Sequence, residues 1–237
     1  MRALLLAAGF GTRLRPLTDT VPKCLVPING KPLLGYWLEM LVLAGVQPML
    51  VNLHYMPDAV KQFLQDGPYS QYVTAVYEDV LLGTAGTLLK NRTFFSEEAV
   101  MLVHADNLSK FDVDAFVRCH QQRPLGCEIT MMTFTAQDPK SCGIVELDAR
   151  GVVTAFHEKV AVPPGNLANG AVYIVEPTVV DFLEGKGKTE IDFSTEVLPA
   201  YLGRIFTYHN SIYHRDIGTL ESYNAAQAEY SSRCNHL

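Results

Sequence analysis

Short apolar runs alternate with helical patterns through residues 1–135, and this regular alternation restricts the fold to strand and helix units repeated around a parallel sheet. The runs predict strands near 2–8, 48–53, 72–77, 99–104 and 127–134. Helices are expected near 31–44, 57–65, 85–91 and 112–122, with Asp112 as an N-cap and Tyr36, Trp37 and Leu38 at core-facing helical positions. After Asp138 the pattern changes. CGIVELD and VVTAFHEK flank Ala149, Arg150 and Gly151 and predict a hairpin, and AVYIV predicts a strand at 171–175 after the loop VPPGNLANG. A helix near 177–184, another near 194–202, two short strands around 205–215 and a last helix near 219–230 complete the expectation. No repeat or low-complexity linker interrupts the chain, so residues 136–237 are expected as a lobe laid on the same sheet, within one domain over 1–237.

Composition narrows the partners. The chain has 237 residues, 48% of them hydrophobic, enough for a sizeable core. Its net charge of -6 argues against nucleic acid, which needs clustered cations to displace condensed counterions. Any phosphate site must then be local. The five cysteines (Cys24, Cys119, Cys127, Cys142 and Cys234) are odd in number and include no CxxC pair, so neither a disulfide framework nor a zinc knuckle is indicated. ALLLAAGF at 3–10 imitates a signal peptide but runs straight into GTRLRPLT without a cleavage region, and reads as a buried first strand. No apolar run approaches the roughly 20 residues needed to cross a bilayer. A cytoplasmic protein with no membrane partner is expected, and a homo-oligomer is compatible with all of this.

LAAGFGTRLRPLTDTVPKCLVP at 6–27 concentrates the chemistry. Gly9 and Gly11 let the backbone turn tightly and bring its N–H groups against an anion. Arg13 has the planar fork for phosphate oxygens, and Lys23 supplies a compact charge. Pro16, Pro22 and Pro27 stiffen the loop. A dinucleotide fingerprint needs a third small residue where Leu14 stands. A P-loop fails too, because Lys23 lacks the GxxxxGK[ST] spacing.

GxGTRLxPLT followed by PK resembles the signature of sugar-1-phosphate nucleotidylyltransferases, and the likeness extends from Ala3 to about Tyr223. It implies a Rossmann-like three-layer α/β/α sandwich with a mixed, mainly parallel sheet and a sugar-binding lobe. Residues 1–135 would bind the nucleotide and 136–237 the sugar; no left-handed β-helix of the type in longer relatives is expected. Ala8, Gly9, Gly11, Thr12 and Arg13 would wrap the triphosphate, with Arg13 and Lys23 as the catalytic cations. Cys24 stands where proline is common and reads as a small buried side chain.

VHADN resembles the family's metal segment and RDIGTLESY its second, which implies that Asp106 and Asp216 jointly hold Mg2+, an ion that typically uses one or two carboxylates plus phosphate oxygens and water. Ala105 replaces the usual glycine, and Arg215, in place of an apolar residue, is a candidate phosphate contact. Glu78 and Gly83, around the glycine-rich LGTAGT, are the candidates for reading the base; the GTAG form resembles mannose-1-phosphate guanylyltransferases. By the same resemblance Gly143, Glu158, Asn169 and Gly170 would contact the sugar and Lys159 its phosphate. His54, His104, His120 and His157 lack metal-ligand spacing and read as packing or surface residues.

The implied reaction joins a nucleoside triphosphate and a sugar 1-phosphate into a nucleotide sugar and pyrophosphate. GTP with a mannose- or heptose-like sugar is favoured over UTP or dTTP with a glucose-, N-acetylglucosamine- or muramate-like one. A non-catalytic nucleotide-sugar sensor would show a broken site, and Arg13, Lys23, Asp106 and Asp216 are all present. A glycosyltransferase has no reason to carry GxGTR and the following PK.

Overall fold

The computed structural model describes residues 1–234, and side chains as far as Tyr230; the side chain of Cys234 lies outside the described residues. The chain forms β1 (Arg2–Leu6), the hairpin strands β2 (Pro27–Ile28) and β3 (Lys31–Pro32), α1 (Leu33–Leu43), β4 (Met49–Leu53), α2 (Pro57–Asp66), β5 (Val73–Tyr77), α3 (Gly83–Lys90) and α4 (Arg92–Phe95). It continues through β6 (Val100–His104), β7 (Asn107–Lys110), α5 (Val113–Gln121), β8 (Ile129–Thr135), β9 (Gly143–Leu147), β10 (Val153–Glu158) and β11 (Leu167–Val175). α6 (Pro177–Gly185), β12 (Ile205–His209), β13 (Tyr213–Asp216) and α7 (Leu220–Cys234) complete it.

A nine-stranded mixed sheet runs through both halves. β5, β4, β1 and β6 lie side by side and parallel. β11 then enters antiparallel to β6 and pairs on its other side with β8, which carries β12 parallel to it. The hairpin of β9 and β10 joins through the start of β11, where Ala168 pairs with Ile144. All strands but β10 and β11 therefore point the same way. Period-two alternation sends Ala3 and Leu5 to one face of the sheet and Leu4 to the other, and both faces are buried. That is why β1 reads as an unbroken apolar run. α1, α2 and α5 cover the first face; α3, α6 and residues 193–201 cover the second. Three layers result.

Several segments depart from the sequence expectation. The helix expected near 194–202 is a π turn over Phe193–Val197 followed by a 3-10 turn over Leu198–Tyr201. Pro199 has no N–H to give a regular ladder, and the Asp192 carboxylate caps the turn by accepting from the Thr195 N–H. LGTAGT, expected as a glycine-rich turn leading to a helix near 85–91, already forms the first turns of α3 from Gly83. β7, which the sequence reading lacks, pairs antiparallel with β13 in a separate two-stranded ribbon. Among the described residues no helix is long and apolar enough to cross a membrane.

Candidate active site

β1 ends at Leu6, and the chain leaves the carboxyl edge of the sheet, the edge at which open α/β sheets bind ligands. Ala7 and Ala8 are buried as they turn out of the strand, and the Ala7 N–H donates to Asn52 Oδ1 at 2.8 Å. Gly11 follows at φ 64, in the left-handed region, and a Cβ there would stand 3.0 Å from both Lys23 Cβ and Thr18 Cγ2. Glycine is required there on both counts. The buried Thr18 hydroxyl donates to the Gly11 carbonyl at 2.8 Å, and the Tyr55 hydroxyl donates to the Thr18 carbonyl at 3.0 Å. The Phe10 ring leans on His54 and Tyr55 with centroids 5.1 and 5.7 Å away. The corner after β4 thus holds the loop from one side.

The loop returns through Pro22, and a 3-10 turn over Lys23–Leu25 points the buried Lys23 back beneath Gly11. Its ammonium lies 2.8 Å from Asp106 Oδ2 and 3.6 Å from Asp216 Oδ1. Asp106 arrives at the end of β6, and Asp216 is brought beside it by the ribbon, whose register sets Asp216 opposite Asn107. Desolvation pushes the Asp106 carboxyl up, but Lys23, with a smaller contribution from His104, outweighs it and holds the group below its ordinary range. A Cβ on Gly218 would meet Asp216 Oδ2 at 2.8 Å and Arg13 Nη2 at 3.2 Å, so the guanidinium reaches the same place. Gly9, Phe10, Gly11, Thr12, Arg13, Lys23, Asp106 and Gly218 line one cavity of about 270 Å³. A second cavity, about 310 Å³ between α1 and α2, is mostly apolar, and its lining Lys31 is paired with Glu39.

Asp106 and Asp216 offer hard carboxylate oxygens around one point and suit a magnesium ion completed by phosphate and water. Among the described residues, no cluster of three or more histidine, cysteine or acidic ligands forms a closed metal cage. Cys24 is buried, and burial raises its thiol pKa to about 12, which leaves it inert.

The base candidates divide. Gly83 sits at φ 72 with Ile191 O only 2.5 Å from where a Cβ would stand, at the mouth of α3. Ile191 O also accepts from the Ala85 and Gly86 N–H groups, so the first turn of the helix is tied to the later half of the chain. Glu78 is not an exposed strand-end charge: it is 1% exposed. It accepts from the Thr87 hydroxyl at 2.8 Å and from Asn52 Nδ2 at 3.3 Å. Through Asn52 this network reaches the Ala7 N–H and fixes the start of the glycine loop. Asn52, Thr87, Thr18 and Tyr55 were not singled out from sequence; Thr18, inside the RPLT string, and Thr87, closing LGTAGT, carried a signal there.

In the second half, Gly143 and Glu158 face each other across the β9–β10 hairpin, and a Cβ on Gly143 would collide with Glu158 Oε2 at 2.7 Å and the Phe156 ring at 2.6 Å. Lys159 follows at φ 49 with its ammonium 3.3 Å from Glu158 and its side chain largely exposed. Asn169 donates to the Tyr173 hydroxyl at 2.6 Å and accepts from the Ala171 N–H, which fixes its amide. Gly170 is buried against Met132 of β8, whose Cε would lie 2.7 Å from a Cβ. Arg215 turns away from the cavity to the Glu229 carboxylate of α7 at 2.8 Å from both oxygens. Its suggested phosphate contact is corrected to a brace between β13 and α7. His120 is buried, as packing requires. His104 ends β6 with its ring against Tyr173 and, among the described residues, no hydrogen-bond partner for Nε2.

The family model described as nucleotidyl transferase matches residues 2–233. The chain belongs to that family. A mannose-1-phosphate guanylyltransferase of Mycobacterium tuberculosis is 31% identical over 96% of this chain and 64% of its own length. A UTP–glucose-1-phosphate uridylyltransferase of Synechocystis is also 31% identical, over 84% of this chain and 54% of its own length. This nucleotidyl transferase chain thus spans between about half and two thirds of these curated relatives. Among solved structures, HddC from Yersinia pseudotuberculosis complexed with GMP-PN superposes with a TM-score of 0.80 at 25% identity, covering 97% of this chain and 99% of that one.

Proposed function

We propose that this chain transfers a guanylyl group from GTP to a mannose- or heptose-like sugar 1-phosphate and releases pyrophosphate. The observation that carries the reading is the convergence of Lys23 with Asp106 and Asp216 under a glycine-turned loop bearing Arg13. That set neutralises a triphosphate without clustering cations elsewhere. The guanylyltransferase name of the first relative and the guanine nucleotide in the HddC complex support the base, and the uridylyltransferase relative supports the second reading, UTP with a glucose-like sugar.

An ionised oxygen of the sugar phosphate attacks the α-phosphorus. A new P–O bond forms as the bond to the bridging oxygen of the departing pyrophosphate breaks. No general base is needed, so positioning and charge neutralisation account for the acceleration. Backbone N–H groups of Ala8, Gly9, Gly11 and Thr12 cradle the phosphates, Arg13 grips them through its fork, and Lys23 offsets charge developing at the reacting phosphoryl. Asp106 and Asp216 would hold magnesium, which when bound supplies further charge neutralisation to the triphosphate and its leaving group. Gly83 gives the base a backbone wall at the start of α3, and Glu78 supports that wall from behind through Thr87. Gly143 and Glu158 receive the sugar, Asn169 presents its fixed amide, and Lys159 meets the sugar's phosphate; Gly170 serves by letting β11 pack closely. Residues 1–135 and 136–237 act as the two parts of one catalytic unit.

Pyrophosphate release measured over GTP, UTP, dTTP and ATP, each with mannose, heptose, glucose and N-acetylglucosamine 1-phosphates, tests this. Release with GTP is expected to dominate. Release with UTP and none with GTP ends the guanylyl reading.

A further inference from the structure

The acidic pair in this structure already holds a cation, and it belongs to the protein. Lys23 Nζ sits 2.8 Å from Asp106 and 3.6 Å from Asp216, and its side chain is 7% exposed while the carboxylates are 37% and 58% exposed. We propose that Lys23 is a tethered counter-ion that closes the Asp106–Asp216 pair to divalent metal until a triphosphate draws the ammonium away. The inference rests on the triphosphate-binding role of the loop proposed above.

Three features support it. The two carboxylates and the ammonium sum to a single negative charge, too little to attract a dication against the repulsion of a buried ammonium at the same point. The backbone of Lys23 is fixed in a 3-10 turn, and its stem is wedged 3.0 Å from the Cβ position of Gly11. Only the end of the side chain is then free to choose between carboxylates and phosphate. Finally, two carboxylates do not complete the shell of a magnesium ion, so a site with no third carboxylate among the described residues depends on phosphate oxygens to bind tightly. A triphosphate on Gly9 and Gly11 supplies those oxygens and, by attracting Lys23, frees both aspartates in the same event. Nucleotide and metal affinities are thereby coupled through one side chain, and the coupling is reciprocal.

Mn2+ binding to the nucleotide-free protein, followed by electron paramagnetic resonance, tests the inference without turnover. Lys23→Met and Lys23→Gln are expected to bind Mn2+ at least about tenfold more tightly than wild type. Lys23→Arg keeps the charge and binds as weakly as wild type. Adding Asp106→Asn to Lys23→Met abolishes the gain and so locates it at the pair. Neutral variants that are folded by circular dichroism yet bind Mn2+ no tighter overturn the inference. If neither neutral variant folds, lysine-labelled wild-type protein decides by NMR: a Lys23 ammonium resonance broadened by micromolar Mn2+ without nucleotide overturns it, and one that resists millimolar Mn2+ upholds it. Wild-type pyrophosphate release separates the two levels. An active enzyme without the manganese effect loses only the counter-ion; a wild type that releases no pyrophosphate from any nucleotide loses the underlying reading.

Discussion

At Gly83 the geometry is unforgiving on two counts. Any side chain there meets two penalties, a left-handed backbone and the Ile191 carbonyl 2.5 Å from its Cβ. Gly83→Ala is expected to cost on the order of 2 kcal/mol, read as a lower urea midpoint with an unchanged slope. Tyr55 offers the opposite case, a side chain whose hydroxyl ties it to the loop through the Thr18 carbonyl while its ring rests on Phe10. Tyr55→Phe keeps the ring against Phe10 and loses one hydrogen bond, about 1 kcal/mol. Steady-state kinetics should show a higher KM for the nucleotide, by roughly fivefold, with kcat unchanged. Both roles have weak sequence signals: a glycine in LGTAGT is visible, but the carbonyl that crowds it comes from a segment more than a hundred positions away.

At the scale of elements, α5, β8 and the start of α6 meet at His120. Its Nδ1 lies 2.7 Å from the Thr130 hydroxyl and its Nε2 lies 2.9 Å from Glu176, which also receives Arg123. Burial lowers the His120 pKa to about 4, the Arg123 guanidinium adds to the effect, and Glu176 opposes it. The unfolded chain, with His120 near its ordinary 6.5, takes a proton before the folded one does. Stability from this junction is therefore complete above about pH 6.5 and declines as the pH falls toward about 4. Melting midpoints of wild type and His120→Gln across that window should converge at the acid end, because the variant lacks this titration. A parallel loss in both proteins would remove His120 from the account. The parallel strands themselves were legible because they are apolar on both faces. β7 was not, since NLSK is short and mostly polar, and its place is set by pairing with β13 and by contacts of Asn107 and Leu108 with distant elements. The stretch at 193–201 misled in the other direction, its apolar spacing suiting a helix that Pro199 cannot complete.

Considered whole, the molecule arranges its sheet so that the nucleotide loop, the acidic pair and the hairpin of β9 and β10 are drawn from both halves of the chain. A ligand that bridges them should stabilise the entire fold. GTP with magnesium at about a hundred times its dissociation constant is expected to add ~2.7 kcal/mol, seen as a rise in the thermal midpoint followed through Trp37. UTP at the same concentration should add less. An equal rise with both nucleotides would leave the base undiscriminated at the level of binding. Reading the sequence as strand and helix units captured this frame, and the glycine-rich string pointed to residues that line one cavity. It did not reveal that Glu78, Thr87 and Asn52 form one buried network, because their meeting depends on three separate elements closing on each other.

The ribbon of β7 and β13 also sets an order of assembly. Asp106 emerges first in synthesis, whereas its partner strand follows more than a hundred residues later. Until Tyr213–Asp216 pairs with Asn107–Lys110, the nascent protein can collapse its sheet and shape its glycine loop, but Asp106 lacks its fellow carboxylate. The acidic pair is therefore completed only by the docking of a four-residue strand.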